Sequence, residues 1–214
     1  MRTALTIDIV SDLVCPWCYI GKRHLEAALS SMGEAAPPVQ IRWHPFQLNP
    51  DLPPEGISRK RYVENKFGGP QRAAETYARV KQAGAATGLD LQFDRIAQQP
   101  STLAGHALVA LAQEEGKGDA VVEALFKAYF VEGVFIGDIN TLADIAQAHG
   151  ISREKVEAVL NDPQTLQNVA AQDASVRAQG ISGVPFFVIG QQFSLSGAQP
   201  PEAIRQAIER AMKA

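Results

Sequence analysis

Cysteine is almost absent: Cys15 and Cys18 are the only two in a chain of 214 residues. Two thiols cannot build a disulfide framework, and with four scattered histidines they do not supply the four ligands of a structural zinc site. An excess of charge is also lacking, because 20 Lys and Arg stand against 23 Asp and Glu, a net charge of -3. That balance gives no electrostatic reason to expect nucleic acid or an acidic membrane as partner. No stretch approaches the ~18 apolar residues of a spanning helix. The start has no apolar run of signal-peptide length either, since Asp8 and Asp12 interrupt it, and cytoplasmic residence is the expectation. Internal repeats and low-complexity tracts are missing as well. What remains is a chain with 46% hydrophobic residues, enough for a proper core.

The pattern opens as strand, helix, strand. Residues 3 to 11 alternate, with Leu5, Ile7 and Ile9 against Thr6 and Asp8. Pro16 suits a first helical turn, and that helix is predicted to run to about Met32, before Gly33. Val39 to Phe46 alternates again. After Pro50, Pro53, Pro54 and Gly56 the periodicity is helical almost throughout from Ser58 to Gly180. Val121, Val122, Leu125, Phe126, Tyr129 and Phe130 are spaced to bury one helix face. Ser101, Ser152 and Asp162 are predicted N-caps, and Gly150 and Gly180 mark helix ends. Phe186 to Ile189 and Phe193 to Ser196 read as a hairpin around Gly190-Gln191-Gln192, and Pro201 to Lys213 as a closing helix. The expected architecture is α/β, with residues 1–54 and 178–214 forming one unit and an all-helical domain, 55–177, inserted between its halves.

Cys15-Pro16-Trp17-Cys18 sits where the first strand hands over to the first helix. Cys18 falls on the apolar stripe with Gly21, Leu25, Ala28 and Met32, and so on the buried side. Cys15 precedes the first turn, where unpaired N–H groups and the positive end of the helix dipole favour an anion. The expectation is an exposed nucleophile at Cys15 and a resolving thiol at Cys18. Two inert core cysteines are the alternative. Gly183-Val184-Pro185-Phe186-Phe187 is the second signal. Alone, Pro185 reads as an ordinary trans start to a strand; with the upstream thiol pair, a cis peptide in a tight turn becomes the preferred form.

The stretches Ser11-Asp12-Leu13-Val14-Cys15-Pro16-Trp17-Cys18-Tyr19-Ile20-Gly21-Lys22, Trp43-His44-Pro45-Phe46-Gln47-Leu48-Asn49-Pro50 and Gly180-Ile181-Ser182-Gly183-Val184-Pro185-Phe186-Phe187 resemble the thioredoxin-fold oxidoreductases of the DsbA family, in their cytoplasmic FrnE-like branch. The resemblance spans essentially the whole chain. It implies a thioredoxin fold with a helical insertion, a cis Pro185 facing the thiols, and a Val184 backbone offered to an extended peptide or to glutathione. The periplasmic members carry Pro-His where this chain has Pro16-Trp17, and a buried Glu where it has Ile9. Ser101-Thr102 stands where the FrnE-like pattern has Asn-Thr. Related kappa-class glutathione transferases and 2-hydroxychromene-2-carboxylate isomerases have serine in place of the first cysteine, so Cys15 points away from them.

Asp12 and Asp8 are candidate proton relays to Cys18, although an aspartate in a strand-to-helix loop commonly serves as a solvated turn or cap. Trp17 is read as a substrate contact or as core. Lys22 and Arg23 are either solvated or a source of positive potential near Cys15. His106, His44 and His149 carry no partner signal, and Arg59-Lys60-Arg61 reads as a solvated helix start. The expected function is dithiol–disulfide exchange on a protein or small-molecule disulfide. No bound cofactor or metal is expected, with glutathione as the conceivable co-substrate. A glutathione-dependent transferase or small-molecule isomerase, its helical region roofing Cys15 with an apolar pocket, is the alternative; a binding module using the Val184 edge comes third.

Overall fold

The structure, a computed structural model, describes residues 4–213. β1 (Leu5–Ser11) runs through the middle of the sheet, with Ile7 and Ile9 in the core. α1 (Pro16–Ser31) follows, Pro16 standing where its missing N–H leaves no helical hydrogen bond unmade. β2 (Val39–Pro45) returns parallel to β1, with Leu5 opposite Val39 and Ser11 opposite Pro45. Parallel neighbours need such a crossover helix.

The chain then leaves the sheet. β3 (Ile57–Ser58) leads into α2 (Arg59–Phe67), whose N-cap hydroxyl on Ser58 accepts the Arg61 amide. α3 (Pro70–Ala85) follows, and then β4 (Gln98–Gln99), antiparallel to β3. Next come α4 (Leu103–Glu114) and α5 (Gly118–Lys127), the latter widening into a π-helical turn at Ala128–Glu132. α6 (Ile139–Ala148), α7 (Arg153–Leu160) and α8 (Pro163–Ala178) complete the stretch. The chain rejoins the sheet at β5 (Phe186–Ile189), antiparallel to β1, turns into β6 (Phe193–Ser196), and closes with α9 (Pro201–Ala211). The sheet order is β2-β1-β5-β6.

Ser152 and Asp162 cap α7 and α8, and Gly150 and Gly180 lie just past α6 and α8 with φ of 74° and 86°. Ser101 does not cap α4. The β3–β4 ladder keeps the chain extended at Gln99, helical geometry begins only at Leu103, and Thr102 takes the cap position without a side-chain bond. That ladder also interrupts the helical stretch; strands of two residues are too short to reveal a period.

A continuous core links sheet and helices through Ile9, Ile20, Leu25, Leu108, Leu125 and Phe126, each burial contributing ~1.5–3 kcal/mol. The expected apolar face from Val121 to Phe130 is buried throughout. Two glycines allow the close approaches that shape the region beneath the thiols. A Cβ on Gly105 of α4 would stand 2.6 Å from Leu13 Cδ1, and one on Gly21 of α1 would stand 3.0 Å from Pro185 Cγ. Lys22 is neither solvated nor turned toward Cys15. It is 4% exposed and meets Glu26, Glu123 at 3.1 Å and Asp119 at 3.3 Å, because α5 packs alongside α1 and supplies two carboxylates. Arg23 joins Glu26 at 2.6 Å and also pairs with Glu123. At the outer edge of β2, the Gln113 carboxamide of α4 accepts the Trp43 N–H at 2.7 Å and donates to the Trp43 carbonyl at 3.0 Å.

Candidate active site at the amino end of the first helix

Cys15 is the N-cap of α1, with extended φ and ψ of -97° and 109°. Its carbonyl accepts the Cys18 amide at 3.0 Å and the Tyr19 amide at 3.4 Å, which starts the helix and sets Cys18 one turn in. Both thiols are free. Cys18 is 1% exposed, as its place on the apolar stripe requires. Burial pushes its thiol well above the ordinary value, the neighbouring Cys15 adds to the rise, and Ser11 and the Asp12 backbone oppose it.

Cys15 is not the exposed residue expected: it is 5% accessible. The Val184-Pro185 peptide, which is cis, covers it from the sheet side, and the Cys15 thiol donates to the Val184 carbonyl at 3.7 Å. Its way out is a cavity of about 270 Å³ roofed by α2 and α3. Trp17, which also lines the cavity, is 42% exposed and so is not part of the core.

Tyr62, Tyr77, Phe93 and Phe130 make much of that cavity aromatic, and Tyr77 stacks on Phe93 with centroids 4.3 Å apart. Arg59 enters it from the first position of α2. The guanidinium donates to Tyr77 Oη at 2.6 Å, Gln99 Oε1 at 2.7 Å and Tyr129 Oη at 3.3 Å, and its carbon lies 4.9 Å from the Tyr62 ring centroid. All three hydrogen-bond partners are neutral. Burial pushes the Tyr62 and Tyr77 phenols up to about 12, so neither offers Arg59 a negative charge near neutral pH. Arg59 is thus a cavity cation and not the solvated helix start expected, since the Ser58 cap turns the first residue of α2 inward.

The structure separates the two candidate aspartates. Asp8 points to the other face of β1, where its carboxylate accepts two bonds from Arg42 at 2.8 and 2.9 Å and lies 2.7 Å from His44 Nε2. Partial burial pushes its carboxyl up, but Arg42 and His44 outweigh that and hold it below the usual range. Asp12 is no solvated turn residue: it is 0% exposed. Oδ2 accepts the Leu48 amide at 2.7 Å, while Oδ1 lies 3.5 Å from His106 Nε2 of α4. His106 therefore has the partner its sequence context did not reveal. His24 Nδ1 lies 2.9 Å from the Gln199 carbonyl, and His149 Nδ1 bonds Ile145 O at the end of α6. Among the described residues no three His, Cys, Asp or Glu side chains converge as metal ligands do. Nothing in the local pattern marks Arg59 or His106; Gly105, one residue before His106, was the available hint of a close helix approach.

A sequence model described as a DSBA-like thioredoxin domain matches residues 6–209. The uncharacterized protein YwbO of Bacillus subtilis is 26% identical over 209 residues, covering 97% of each chain. The crystal structure of a probable DsbA oxidoreductase from Streptomyces coelicolor superposes with a TM-score of 0.86 at 31% identity, over 98% of this chain and 90% of that one. The cytosolic disulfide reductase DsbM from Pseudomonas aeruginosa, solved with GSH, gives a TM-score of 0.63 at 20% identity over 98% of this chain and 100% of its own, a likeness of fold.

Proposed function

The chain belongs to the DSBA-like thioredoxin domain family, and from that premise we propose that it exchanges disulfides, with Cys15 attacking the substrate and Cys18 resolving the mixed disulfide. One observation carries this: two free thiols lie one helical turn apart, and that of Cys15 donates to the Val184 carbonyl at a helix N-terminus that opens onto a cavity. The dipole of α1 favours negative charge on Cys15, the sulfur at its tip. Cys15 attacks one sulfur of a disulfide entering by the cavity, whose S–S bond breaks and releases its other half as a thiolate. Cys18, one turn deeper, then displaces the half held on Cys15, so the two sulfurs carry both electrons. Val184 and cis Pro185 offer backbone to an extended substrate, and Trp17 offers an aromatic contact.

The low exposure of Cys15 and the size of its cavity favour a small-molecule disulfide over a loop of a folded protein. Arg59, lacking a negative partner among its hydrogen-bond acceptors, is the group to meet a substrate carboxylate. Glutathione disulfide has the required thiol chemistry and charge, and DsbM solved with GSH supports it as co-substrate. The cytoplasm, where thiols are held reduced, suits a resting dithiol.

The test combines reduction of insulin and of glutathione disulfide with thiol-trapping mass spectrometry. Cys15→Ser abolishes turnover, and Cys18→Ser accumulates substrate covalently on Cys15. Full exchange activity in Cys15→Ser overturns the assignment. The aromatic cavity favours one second reading, a glutathione-dependent transferase or isomerase with an apolar co-substrate above Cys15. Glutathione conjugation that survives Cys18→Ser, with no disulfide exchange in the parent protein, would select it.

A further inference from the structure

The turn that covers Cys15 is held by main-chain bonds only at its two ends. From Pro185 onward the chain is anchored, since the Pro185 carbonyl accepts the Gly197 amide at 2.8 Å and β5 pairs with β1 from Phe186. On the other side the Gly180 amide bonds the Arg177 carbonyl at 2.9 Å. Between these points, among the described residues, the amides of Ile181, Ser182, Gly183 and Val184 make no hydrogen bond. Such a segment is placed by its side chains. Ser182 and Gly183 are exposed, which leaves Ile181 and Val184. Both pack on a small core of Val10, Phe46 and Val176 that is separate from the main one.

The last turns of α8 hold that small core in place. Asp173, Val176 and Arg177 are three and four residues apart, so they share the face of α8 that packs on the end of β2. The Arg177 guanidinium carbon lies 3.9 Å from the Phe46 ring centroid. Its Nε donates to both Asp173 oxygens, at 3.2 and 3.1 Å, and its Nη2 donates to the Gln47 carbonyl. Asp173 Oδ1 in turn accepts the Gln47 amide at 3.1 Å. The pair thus grips Gln47 by both its main-chain groups and presses on the ring of Phe46 before it. Leu48, next in the chain, packs on the same small core and lines the cavity that opens onto Cys15.

We propose that Arg177, seated by Asp173, is a positioning residue for substrate binding. Through Phe46 and Leu48 it fixes Val184, which keeps the Val184 carbonyl over the Cys15 thiol and gives the turn one shape for an incoming substrate. The proposal rests on Val184 offering its backbone to substrate. Asp173 is 5% exposed, and a buried ion pair adds little net stability because desolvation offsets the attraction; what this one supplies is geometry. Arg177 does not line the cavity, so its effect passes through the small core.

The test compares the parent with the double variant Asp173→Asn/Arg177→Met, which removes the grip without leaving a lone buried charge. KM for glutathione disulfide is expected to rise about fivefold to tenfold, the weight of one lost main-chain hydrogen bond, with kcat held within about twofold. Cys15 loses its cover at the same time. Its alkylation by iodoacetamide, read by mass spectrometry on the folded protein, is expected to quicken on the order of tenfold, while Cys18, buried in the main core, stays unreactive. A merely loosened fold would expose both thiols together. Arg177→Lys keeps a charge beside Asp173 but loses the flat stack on Phe46, and is expected to recover only part of the KM shift. An unchanged KM, an unchanged Cys15 rate, or equal exposure of the two thiols in a variant with a cooperative urea melt overturns the proposal. If the parent exchanges no disulfide at all, the reading of function fails instead, and the alkylation ratio still decides whether Arg177 positions the turn.

Discussion

Arg59→Met removes one of the two cations that line the cavity, leaving Lys66, and keeps a flexible apolar stem against Tyr62 and Tyr77. Structurally the loss is modest. Gln99 Oε1 retains the Tyr129 hydroxyl at 2.9 Å, so only Tyr77 Oη loses its close donor, and that oxygen borders the cavity. One such bond is worth ~1 kcal/mol of stability. The effect on a negatively charged substrate is larger, because a hydrogen bond to a charged group contributes ~1.5–3 kcal/mol. At about 1.4 kcal/mol per factor of ten, kcat/KM for glutathione disulfide falls about tenfold to a hundredfold. The uncharged bis(hydroxyethyl) disulfide, reaching the same sulfur without a carboxylate, loses little. Both rates are measured by coupled thiol release, with a urea melt to confirm the fold. Equal losses on the two substrates, or none on either, refute the assignment of Arg59 to substrate charge. Arg59→Lys is expected to recover only part of the difference, since an ammonium cannot reproduce the planar fork of donors that Tyr77, Gln99 and Tyr129 now share.

Lys22→Met leaves Glu26, Asp119 and Glu123 around an apolar stem and should cost ~2 kcal/mol in a urea melt, a value discounted for the 43% and 46% exposure of Glu26 and Asp119. Burial pushes Lys22 down and Glu123 up, but it is outweighed, for Lys22 by the carboxylates of Glu26, Asp119 and Glu123, and for Glu123 by the Tyr19 hydroxyl with Lys22 and Arg23, raising Lys22 above 10.5 and lowering Glu123 below 4.5. The Glu123 contribution is therefore complete above 4.5 and lost as pH falls through its lowered folded value, so the gap between parent and variant should narrow in acid; a gap that widens there contradicts the account. Asp8→Asn is expected to leave disulfide exchange unchanged and to cost under ~1 kcal/mol, because Arg42 and His44 are 44% and 38% exposed. Slowed exchange in that variant would contradict the placement of Asp8 away from the thiols, among Arg42 and His44.

The elements that carry the thiols were legible because their signals are local. Pro16 starts α1, alternation marks β1 and β2, and Gly190-Gln191-Gln192 sits between two short β runs. The burial of Cys18 followed from its place in the helical stripe. Cys15 was misplaced because its cover comes from remote segments, the turn at Val184 and the helices roofing the cavity. Asp12 and His106 were missed as a pair for the same reason: 94 positions of sequence separate them, and only the packing of α4 on the loop after β1 brings them within 3.5 Å. Arg59 sits in a basic run whose neighbours Lys60 and Arg61 are indeed exposed, and one cap hydrogen bond decides which of the three turns inward.

The Gln113 carboxamide gives Trp43 the donor and acceptor that an adjoining strand would present. A foreign chain seeking to lengthen the sheet there must first evict that amide from between α4 and the strand. The opposite margin is guarded more lightly: the Gln199 carboxamide donates to the Ser196 carbonyl at 2.7 Å, but among the described residues no side chain there supplies both a donor and an acceptor, and alternate residues Ser194 and Ser196 face outward along it. Self-association or templated misfolding should therefore start from the β6 margin, and a proline or lysine at Ser194 is the economical guard against it.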